Sequence, residues 1–291
     1  MNILSELAQT QHLCNSWRCN RESIGLVPTM GALHEGHLEL CRRARDENTR
    51  LVVSIFVNPA QFGPKEDLSR YPHPFERDCE SLRELGCDLV FAPTREGMYG
   101  RADFSHGAWI DVTPFDELWE GVTRPGHLRG VATVVAKLFN LCCPSRAYFG
   151  EKDFQQLRVV QSLVRDLNFP LEIVPCPTKR ENDGLAMSSR NAYLSPEDRQ
   201  SATVIFRALS QGQKLARGSE TDVRRIGAAM SALLESEPSL VTQYLAVVDS
   251  QTLAPLRELD GRNARILFAG FIGQTRLIDN VALEGVSEAK N

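Results

Sequence analysis

The chain has 291 residues, of which 42% are hydrophobic and 24% charged, a balance that is ordinary for a globular protein of one large or two smaller domains. The net charge of -4 and the pI near 5.9 argue against a nucleic-acid partner, which would require a basic face. No apolar run approaches the roughly 20 residues of a membrane span, and residues 1–17 lack the pattern of a signal peptide. We therefore expect no membrane association and a cytoplasmic location.

The eight cysteines form no C-x-x-C pair, and most lie inside apolar helix or strand patterns. This distribution is typical of reduced, buried thiols in a cytoplasmic protein and argues against a disulfide framework or a zinc site. The adjacent Cys142 and Cys143 are expected to pack at the end of a helix.

The first 176 residues alternate between helix-like and strand-like segments. An amphipathic helix is expected within residues 1–17. After it, the patterns predict strands over 24–29, 51–57, 88–92, 146–149 and 171–176, and helices over 35–48, 75–85, 128–142 and 153–167, the last with Asp153 as its N-cap. Such alternation predicts an α/β fold with a doubly wound parallel sheet and helices on both of its faces. Ligands of such sheets bind beyond the carboxyl ends of the strands.

The pattern changes beyond residue 191. Helices are predicted over 196–217 and 222–235, and strands over 243–248, 265–271 and 275–281, the last two joined as a hairpin through Gly273 and Gln274. This order predicts a small α+β domain. The boundary falls between residues 174 and 191, and we place the two domains at 1–176 and 177–291.

The segment PTMGALHEGH, residues 28–37, follows the first predicted strand of the sheet. A strand, a glycine turn and a helix N-terminus together form a phosphate site, because unpaired amides and the positive end of the helix dipole point at the ligand. His34 and His37 are three residues apart, so both rings can reach one bound group. An isolated H-x-x-H is weak evidence, and a zinc site would need a third ligand, for which Cys41 is poorly placed.

Four further segments follow predicted strands or precede predicted helices: VNPAQF (57–62) with Asn58 and Gln61, RPGHLRG (124–130) with Arg124, His127 and Arg129, GEKD (150–153) with Lys152, and MSSRN (187–191) with Arg190 in a flexible-looking loop. Amides suit a small polar substrate, and the basic side chains suit phosphate. Taken singly, the segments are equally well explained as a turn, a solvated loop, a helix cap and a linker. Their convergence on one edge of the sheet favours a shared site.

The segments PTMGALHEGH, VNPAQF, RPGHLRGV, YFGEKDFQQL and DGLAMSSRN occur in an order that resembles the pantoate–β-alanine ligase family over essentially the whole chain. The H-x-G-H element alone would indicate only the wider nucleotidyltransferase superfamily. That superfamily includes class I aminoacyl-tRNA synthetases, and the MSSR loop is similar in role to their K-M-S-K-S loop.

The resemblance implies a two-step reaction of small-molecule substrates on a Rossmann-like domain. ATP, as substrate with Mg²⁺, and (R)-pantoate would form pantoyl adenylate and pyrophosphate. The amine of β-alanine would then displace AMP to give pantothenate. The family is also expected to form a homodimer.

The resemblance also implies site residues. The catalytic group would be His37, the proton donor, with His34, Lys152 and Arg190. ATP would bind to Met30, Gly31, Ala32, Leu33, His34, Glu35, Gly36, His37, Gly150, Glu151, Lys152, Asp153, Lys179, Met187, Ser188, Ser189 and Arg190. Pantoate and β-alanine would contact Gln61, Gln156, Asn58 and Met30. Lys179 departs from the family, whose members often carry a smaller apolar residue near the adenine.

Two assignments have alternatives. Val131, Val134 and Val135 share a helix face and, with Phe56 and Met30, would suit the gem-dimethyl group of pantoate, although ordinary core packing explains them equally well. Asp78 would suit Mg²⁺, and the acidity of a surface helix is its alternative.

Two competing functions follow from the same segments. The first is a nucleotidyltransferase that moves AMP or CMP onto a phosphorylated acceptor, which leaves VNPAQF and the paired glutamines unexplained. The second is a nucleotide sensor without catalysis, which loss of a histidine, Lys152 or Arg190 would have favoured. All of these residues are present.

Overall fold

The structure is a computed structural model that describes residues 1–64, 66–100 and 107–283. By its internal contacts the chain divides into two compact units. The first comprises residues 1–151 and 155–177, and the second comprises residues 152–154 together with the chain from 178 onward. The last eight residues of the predicted second domain, 284–291, lie outside the described residues.

The first unit is built on a six-stranded parallel sheet in the order β1-β4-β3-β2-β5-β6. The strands are β1 (Asn2–Leu4), β2 (Ile24–Thr29), β3 (Arg50–Ile55), β4 (Leu89–Phe91), β5 (Arg146–Gly150) and β6 (Glu172–Cys176). From β2 the chain proceeds outward through β3 and β4, then returns to the other side of β2 with β5. The order therefore reverses between β2 and β5, and ligands of such sheets bind at the carboxyl ends beside the reversal. The predicted doubly wound fold is confirmed.

Seven helices of the first unit are described: α1 (Leu7–Cys19), α2 (Glu35–Glu47), α3 (Phe75–Glu84), α4 (Arg95–Tyr99), α5 (Trp119–Thr123), α6 (His127–Cys142) and α7 (Phe154–Asp166). Val27, Val53 and Val90 of three neighbouring strands share a hydrophobic cluster with α2 and α3. Side chains alternate across a strand, so Leu26 and Val52 lie on the opposite face of the sheet, where they are also fully buried. Among the described residues, no helix is long and apolar enough to cross a membrane.

Several short elements within residues 1–177 were not predicted from the sequence. They are β1, α4, α5 and 3₁₀ turns at Pro59–Gln61, Leu68–Arg70, Phe115–Glu117 and Glu151–Asp153. The strand predicted over 51–57 ends at Ile55, because residues 56–58 already lead into the first of these turns. The predicted N-cap Asp153 lies inside the last of them.

The second unit contains α8 (Pro196–Ser201), α9 (Thr203–Arg217), α10 (Val223–Glu235) and an antiparallel sheet of β7 (Leu240–Asp249), β8 (Ala264–Ile272) and β9 (Thr275–Leu283). The predicted hairpin is present, with Ile272 opposite Thr275. The single helix predicted over 196–217 is wrong, because the chain breaks at Ala202 into two helices. The side chains of Met230 and Ile266 pack directly against Gly212. A β-carbon at position 212 would lie within 2.6 Å of both of them, so this contact between helix and sheet requires glycine.

Candidate active site

The turn after β2 is fixed by hydrogen bonds and by backbone conformation. Thr29 Oγ1 donates to the carbonyl of Ser54 at 2.7 Å and accepts from the Gly31 amide at 3.1 Å. Gly31 has a φ of 78°, and Ala32 follows with a φ of 50°. A β-carbon at position 31 would lie 3.0 Å from Ile55, so both the conformation and the space favour glycine. The turn delivers the chain to the N-terminus of α2.

Asp78 lies beneath this turn, in the first turn of α3, and is only 2% exposed. Its Oδ1 accepts from the Leu33 amide at 2.9 Å. Burial raises the pKa of Asp78 above its usual value, while the bonds from the amides of Leu33 and Ala32 act in the opposite direction. The alternative of surface acidity is therefore wrong, and Oδ1 of the carboxylate holds the turn. Nor do the described residues contain any cluster of three or more His, Cys, Asp or Glu side chains able to hold a metal ion.

His34 and His37 cap the N-terminus of α2 through their own rings. Nδ1 of His34 accepts from the Gly36 amide at 3.2 Å, and Nδ1 of His37 accepts from the His34 amide at 3.4 Å. The ring centroids are 4.0 Å apart. A neutral imidazole that accepts at Nδ1 carries its proton at Nε2. Each neutral ring therefore carries its N–H donor at Nε2, and both rings lie at the N-terminus of α2, the positive end of the helix dipole.

The same hydrogen bonds involve the amides of the predicted phosphate site. The amides of Gly31, Leu33, His34 and Gly36 all donate to side chains of the protein itself. These four amides thus already have partners within the protein, and binding of phosphate by the backbone of residues 30–37 stays a prediction. The capping side chains satisfy amides that would otherwise be open at the N-terminus of α2.

The turn after β3 contains Asn58 and Gln61, the two predicted amide residues, which have different surroundings. Asn58 is 1% exposed, and its amide nitrogen donates to the carbonyl of Gly130 at 3.1 Å and to Oε1 of Gln61 at 3.2 Å. Its Oδ1 accepts from the Tyr99 hydroxyl at 2.7 Å. Both ends of the Asn58 amide thus have partners within the protein, and its contact with a substrate stays a prediction. Gln61 Nε2 contacts Sδ of Met30 at 2.9 Å, which joins two predicted pantoate residues.

The valine pattern on α6 does not distinguish a binding wall from core. Val131, Val134 and Val135 are all buried, but so is nearly every other residue of that helix. A helix that is apolar and buried all round has no single face to which the spacing would point. Phe56 is likewise buried. Burial supports ordinary core packing, and a contact with pantoate stays a prediction.

The RPGHLRG segment opens α6. His127 is buried, and its Nδ1 lies 2.8 Å from the carbonyl oxygen of Gln61 while its Nε2 lies 3.0 Å from Nη1 of Arg124. Burial lowers the pKa of His127 to about 4, and the charge of Arg124 acts in the same direction. Arg129 forms an exposed ion pair with Asp111 at 3.2 Å.

The GEKD segment follows β5, the strand beside β2. Gly150 ends that strand, and Glu151–Asp153 forms a 3₁₀ turn ahead of α7. The carbonyl of Lys152 accepts from Nδ2 of Asn280 at 2.8 Å. Both residues belong to the second unit, so this bond fixes the backbone of the lysine within that unit. On α7, Gln156 is half-buried. Its neighbour Gln155 is buried and bonded to the carbonyls of residues 115 and 118.

The MSSR segment belongs to the second unit and is ordered by short-range bonds. The Met187 amide donates to the carbonyl of Lys179, whose side chain is exposed, at 3.0 Å. Ser188 caps the 3₁₀ turn Ser189–Tyr193 by accepting from the Arg190 amide at 3.3 Å. The lysine carbonyl is thus already occupied within the segment. The effect of Lys179 on adenine binding stays untested.

A family model described as pantoate-beta-alanine ligase matches residues 2–282. The chain belongs to that family. The family prediction made from five sequence segments is therefore confirmed. Members of the pantoate–β-alanine ligase family are enzymes, and their reaction is the ATP-dependent condensation of pantoate with β-alanine.

Relatives match the chain over nearly its full length. The pantothenate synthetase of Rubrobacter xylanophilus is 54% identical over 285 residues, which cover 97% of this chain and 98% of that protein. A crystal structure of pantothenate synthetase from Thermus thermophilus has 49% identity and a TM-score of 0.91, and the match covers 98% of this chain and 100% of that one. Pantoate-beta-alanine ligase from Francisella tularensis, described as complexed with Beta-gamma ATP and Beta-alanine, has 33% identity and a TM-score of 0.79, with 97% of both chains covered.

Sequence reasoning missed several residues that position the site of this ligase. Tyr99, Gln155 and the capping role of the two histidines are visible only in the fold, because each depends on a partner far along the chain or on ring orientation. The sequence suggests Asp78 as a metal ligand, but acidity alone does not indicate that this residue is buried under the turn.

The ring nitrogens give a test of the site geometry. We expect ¹⁵N-histidine NMR spectra at neutral pH to show His34 and His37 protonated at Nε2 and His127 protonated at Nδ1. The reason is that backbone amides occupy Nδ1 of the first two rings, whereas Arg124, which can only donate, occupies Nε2 of the third. Single His→Gln variants would assign the signals. Nδ1 protonation of either member of the pair would contradict the capping arrangement.

Proposed function

We propose that this pantoate–β-alanine ligase activates (R)-pantoate as pantoyl adenylate and then transfers the pantoyl group to β-alanine. A pantoate carboxylate oxygen attacks the α-phosphorus of ATP, and the bond from that phosphorus to the β-phosphate bridge breaks to release pyrophosphate. The β-alanine amine then attacks the acyl carbon, loses a proton, and displaces AMP to leave pantothenate. Adenylation is required because a free carboxylate has no adequate leaving group, whereas AMP is one.

One observation carries the proposal: the rings of His34 and His37 lie together at the N-terminus of α2, with centroids 4.0 Å apart, and Nδ1 of each accepts a hydrogen bond from a backbone amide. Negative charge grows on the α-phosphate oxygens as the carboxylate attacks. Donors that are already held by capping bonds need no reorganisation at that moment, which is the condition for strong electrostatic stabilisation. His37 is proposed as the proton donor to the phosphate, with His34 beside it.

The other substrate roles are proposed from the family resemblance. Gln61 and Gln156 would bind the hydroxyls and carboxylate of pantoate, with Met30 as an apolar neighbour. Lys152 and Arg190 would neutralise the β- and γ-phosphates of ATP, for which the planar guanidinium of arginine suits bidentate binding. We expect the adenosine to lie along residues 150–153, 179 and 187–190.

Mg²⁺ is proposed as a companion of ATP. The described residues offer no cluster of three acidic, histidine or cysteine ligands, and Oδ1 of Asp78 is committed to the turn. They therefore do not fit a resident magnesium site. Mg²⁺ commonly keeps most of its water and binds through substrate phosphates, which suits a metal that arrives with ATP.

We also propose that the enzyme is a cytoplasmic homodimer without nucleic-acid partners. All eight cysteines are free, as expected in a reducing compartment, and the net charge of -4 is unsuited to nucleic acid. The dimer is proposed from the family resemblance. Sedimentation at micromolar concentration should give about twice the monomer mass, and a stable monomer would contradict it.

Product analysis tests the proposed function. The purified chain, incubated with ATP, pantoate, β-alanine and Mg²⁺, should yield equal amounts of pantothenate, AMP and pyrophosphate. Omission of β-alanine should prevent both pantothenate formation and sustained release of AMP. Formation of ADP and phosphate would contradict the proposal, because it would mean attack at the γ-phosphate.

A further inference from the structure

The carbonyl oxygen of Gln61 ends a 3₁₀ turn and is held by two side chains. His127 Nδ1 lies 2.8 Å from this oxygen, and Arg124 Nη2 donates to it at 3.4 Å. Because Arg124 also donates to Nε2 of His127, that nitrogen must be an acceptor and the ring must be neutral. Nδ1 therefore carries the proton and donates to Gln61.

Arg124 is itself fixed on its far side. Its Nε and Nη2 donate to the two carboxylate oxygens of Glu66 at 2.8 and 2.6 Å, and Glu120 lies 3.6 Å away. Such a bidentate pair holds the guanidinium in one plane. The chain of contacts from Glu66 through Arg124 and His127 thus ends on the backbone of Gln61.

The 3₁₀ turn that contains Gln61 packs closely on α6, and the side chain of Gln61 is also hydrogen-bonded. A β-carbon at Gly130 would lie 2.3 Å from the carbonyl oxygen of Ala60 and 2.8 Å from Cα of Gln61, so the turn rests directly on the backbone of α6. Asn58 donates to Oε1 of Gln61 from the other side. With its carbonyl, Cα and Oε1 all held, and its Nε2 in contact with Sδ of Met30, Gln61 has little conformational freedom.

We propose that His127, held by the Arg124–Glu66 pair, is a positioning residue that aims the Gln61 amide at pantoate. The proposal rests on the proposed role of Gln61 in binding pantoate. In this proposal the RPGHLRG segment contributes to pantoate binding by holding Gln61, and it needs no contact of its own with the substrate. The consequence is a selective one: loss of the His127 bond should weaken pantoate binding and leave ATP and β-alanine unaffected.

Two substitutions at one position separate this role from simple packing. His127→Asn places an N–H near the site of Nδ1 and keeps the bond to Gln61, whereas His127→Gln places an acceptor near Nε2 and loses that bond. We expect His127→Gln to raise KM for pantoate about tenfold, the size of one buried hydrogen bond, with His127→Asn close to wild type. KM for ATP and for β-alanine should stay unchanged in both, as should Tm within a few degrees.

Glu66→Gln tests the same contact chain from its outer end. It keeps the shape of Glu66 but removes the charge that fixes Arg124, so KM for pantoate should rise in the same direction and by less. Equal KM values in the two His127 variants, or a parallel rise of all three KM values with a fall in Tm, would overturn the positioning role.

Gln61→Ala distinguishes the failure of this inference from failure of the proposed function. If that variant binds pantoate normally, the role of Gln61 is wrong and the positioning role falls with it. If Gln61→Ala raises KM while His127→Gln does not, only the positioning role is overturned. In the double variant Gln61→Ala/His127→Gln, the His127 change should add nothing further, because it acts through Gln61.

Discussion

Replacing His37 by alanine is expected to slow adenylation by about 10²–10³-fold, the usual scale for losing one preorganised donor to a transition state. The substitution removes the Nε2–H donor and also the Nδ1 acceptor that caps the His34 amide. Loss of the cap alone should cost about 1 kcal/mol of stability. Single-turnover formation of pantoyl adenylate measures the rate, and Tm measures the cost to the fold.

Matched variants separate the two roles of this ring. His37→Asn can still accept from the His34 amide but has no donor at the Nε2 position, so it should melt like wild type and be as slow as His37→Ala. His37→Gln places an N–H near that position and should recover part of the rate. Wild-type adenylation by His37→Asn would show that the Nε2 donor is not used. A large loss of Tm in that variant would instead favour a purely structural role.

Replacing Arg190 by alanine is expected to reduce adenylation by about 10²–10³-fold as well, with little change in the free energy of unfolding. The substitution removes the guanidinium group that is proposed to bind the ATP phosphates. The 3₁₀ turn that carries residue 190 is held by the Ser188 cap and by backbone hydrogen bonds, so the fold should be little affected. Rates at saturating ATP should remain low, because the interaction is proposed to strengthen as pyrophosphate departs.

Arg224 provides the control for this measurement. It is an exposed arginine of the same unit and forms an ion pair with the neighbouring Asp222 at the start of α10. Arg224→Ala should leave both adenylation and stability within experimental error of wild type. An unchanged rate for Arg190→Ala at saturating ATP would remove that residue from the site.

Long periodic segments made most of the fold predictable from the sequence. The apolar run beginning at Leu51 predicts a strand buried on both faces, and β3 is such a strand. The break of the helix at Ala202 could not be predicted, because neither glycine nor proline marks it. Likewise β7 begins at Leu240, before its predicted start, since residues 241–243 are exposed and carry no core pattern.

The segments that form the candidate site could be predicted from the sequence, but the orientations and hydrogen-bond partners of their side chains could not. Asn58 and Gln61 come from one motif, yet the fold buries the first in a hydrogen-bond network and leaves the second beside Met30. His34 and His37 were predicted to share a face of α2, but their capping bonds depend on ring rotation that no spacing encodes. Orientation, burial and tautomer are properties of tertiary contacts, which explains why these details were missed.

The most direct test of the account is exchange of labelled pyrophosphate into ATP. If pantoate is activated as an acyl adenylate at the histidine pair, exchange must occur with ATP, Mg²⁺ and pantoate in the absence of β-alanine. It must cease when pantoate is omitted, since no carboxylate is then available to attack the α-phosphate. In the complete reaction, one oxygen of ¹⁸O-labelled pantoate carboxylate should appear in AMP. Exchange without pantoate, or AMP free of the label, would contradict the acyl-adenylate mechanism.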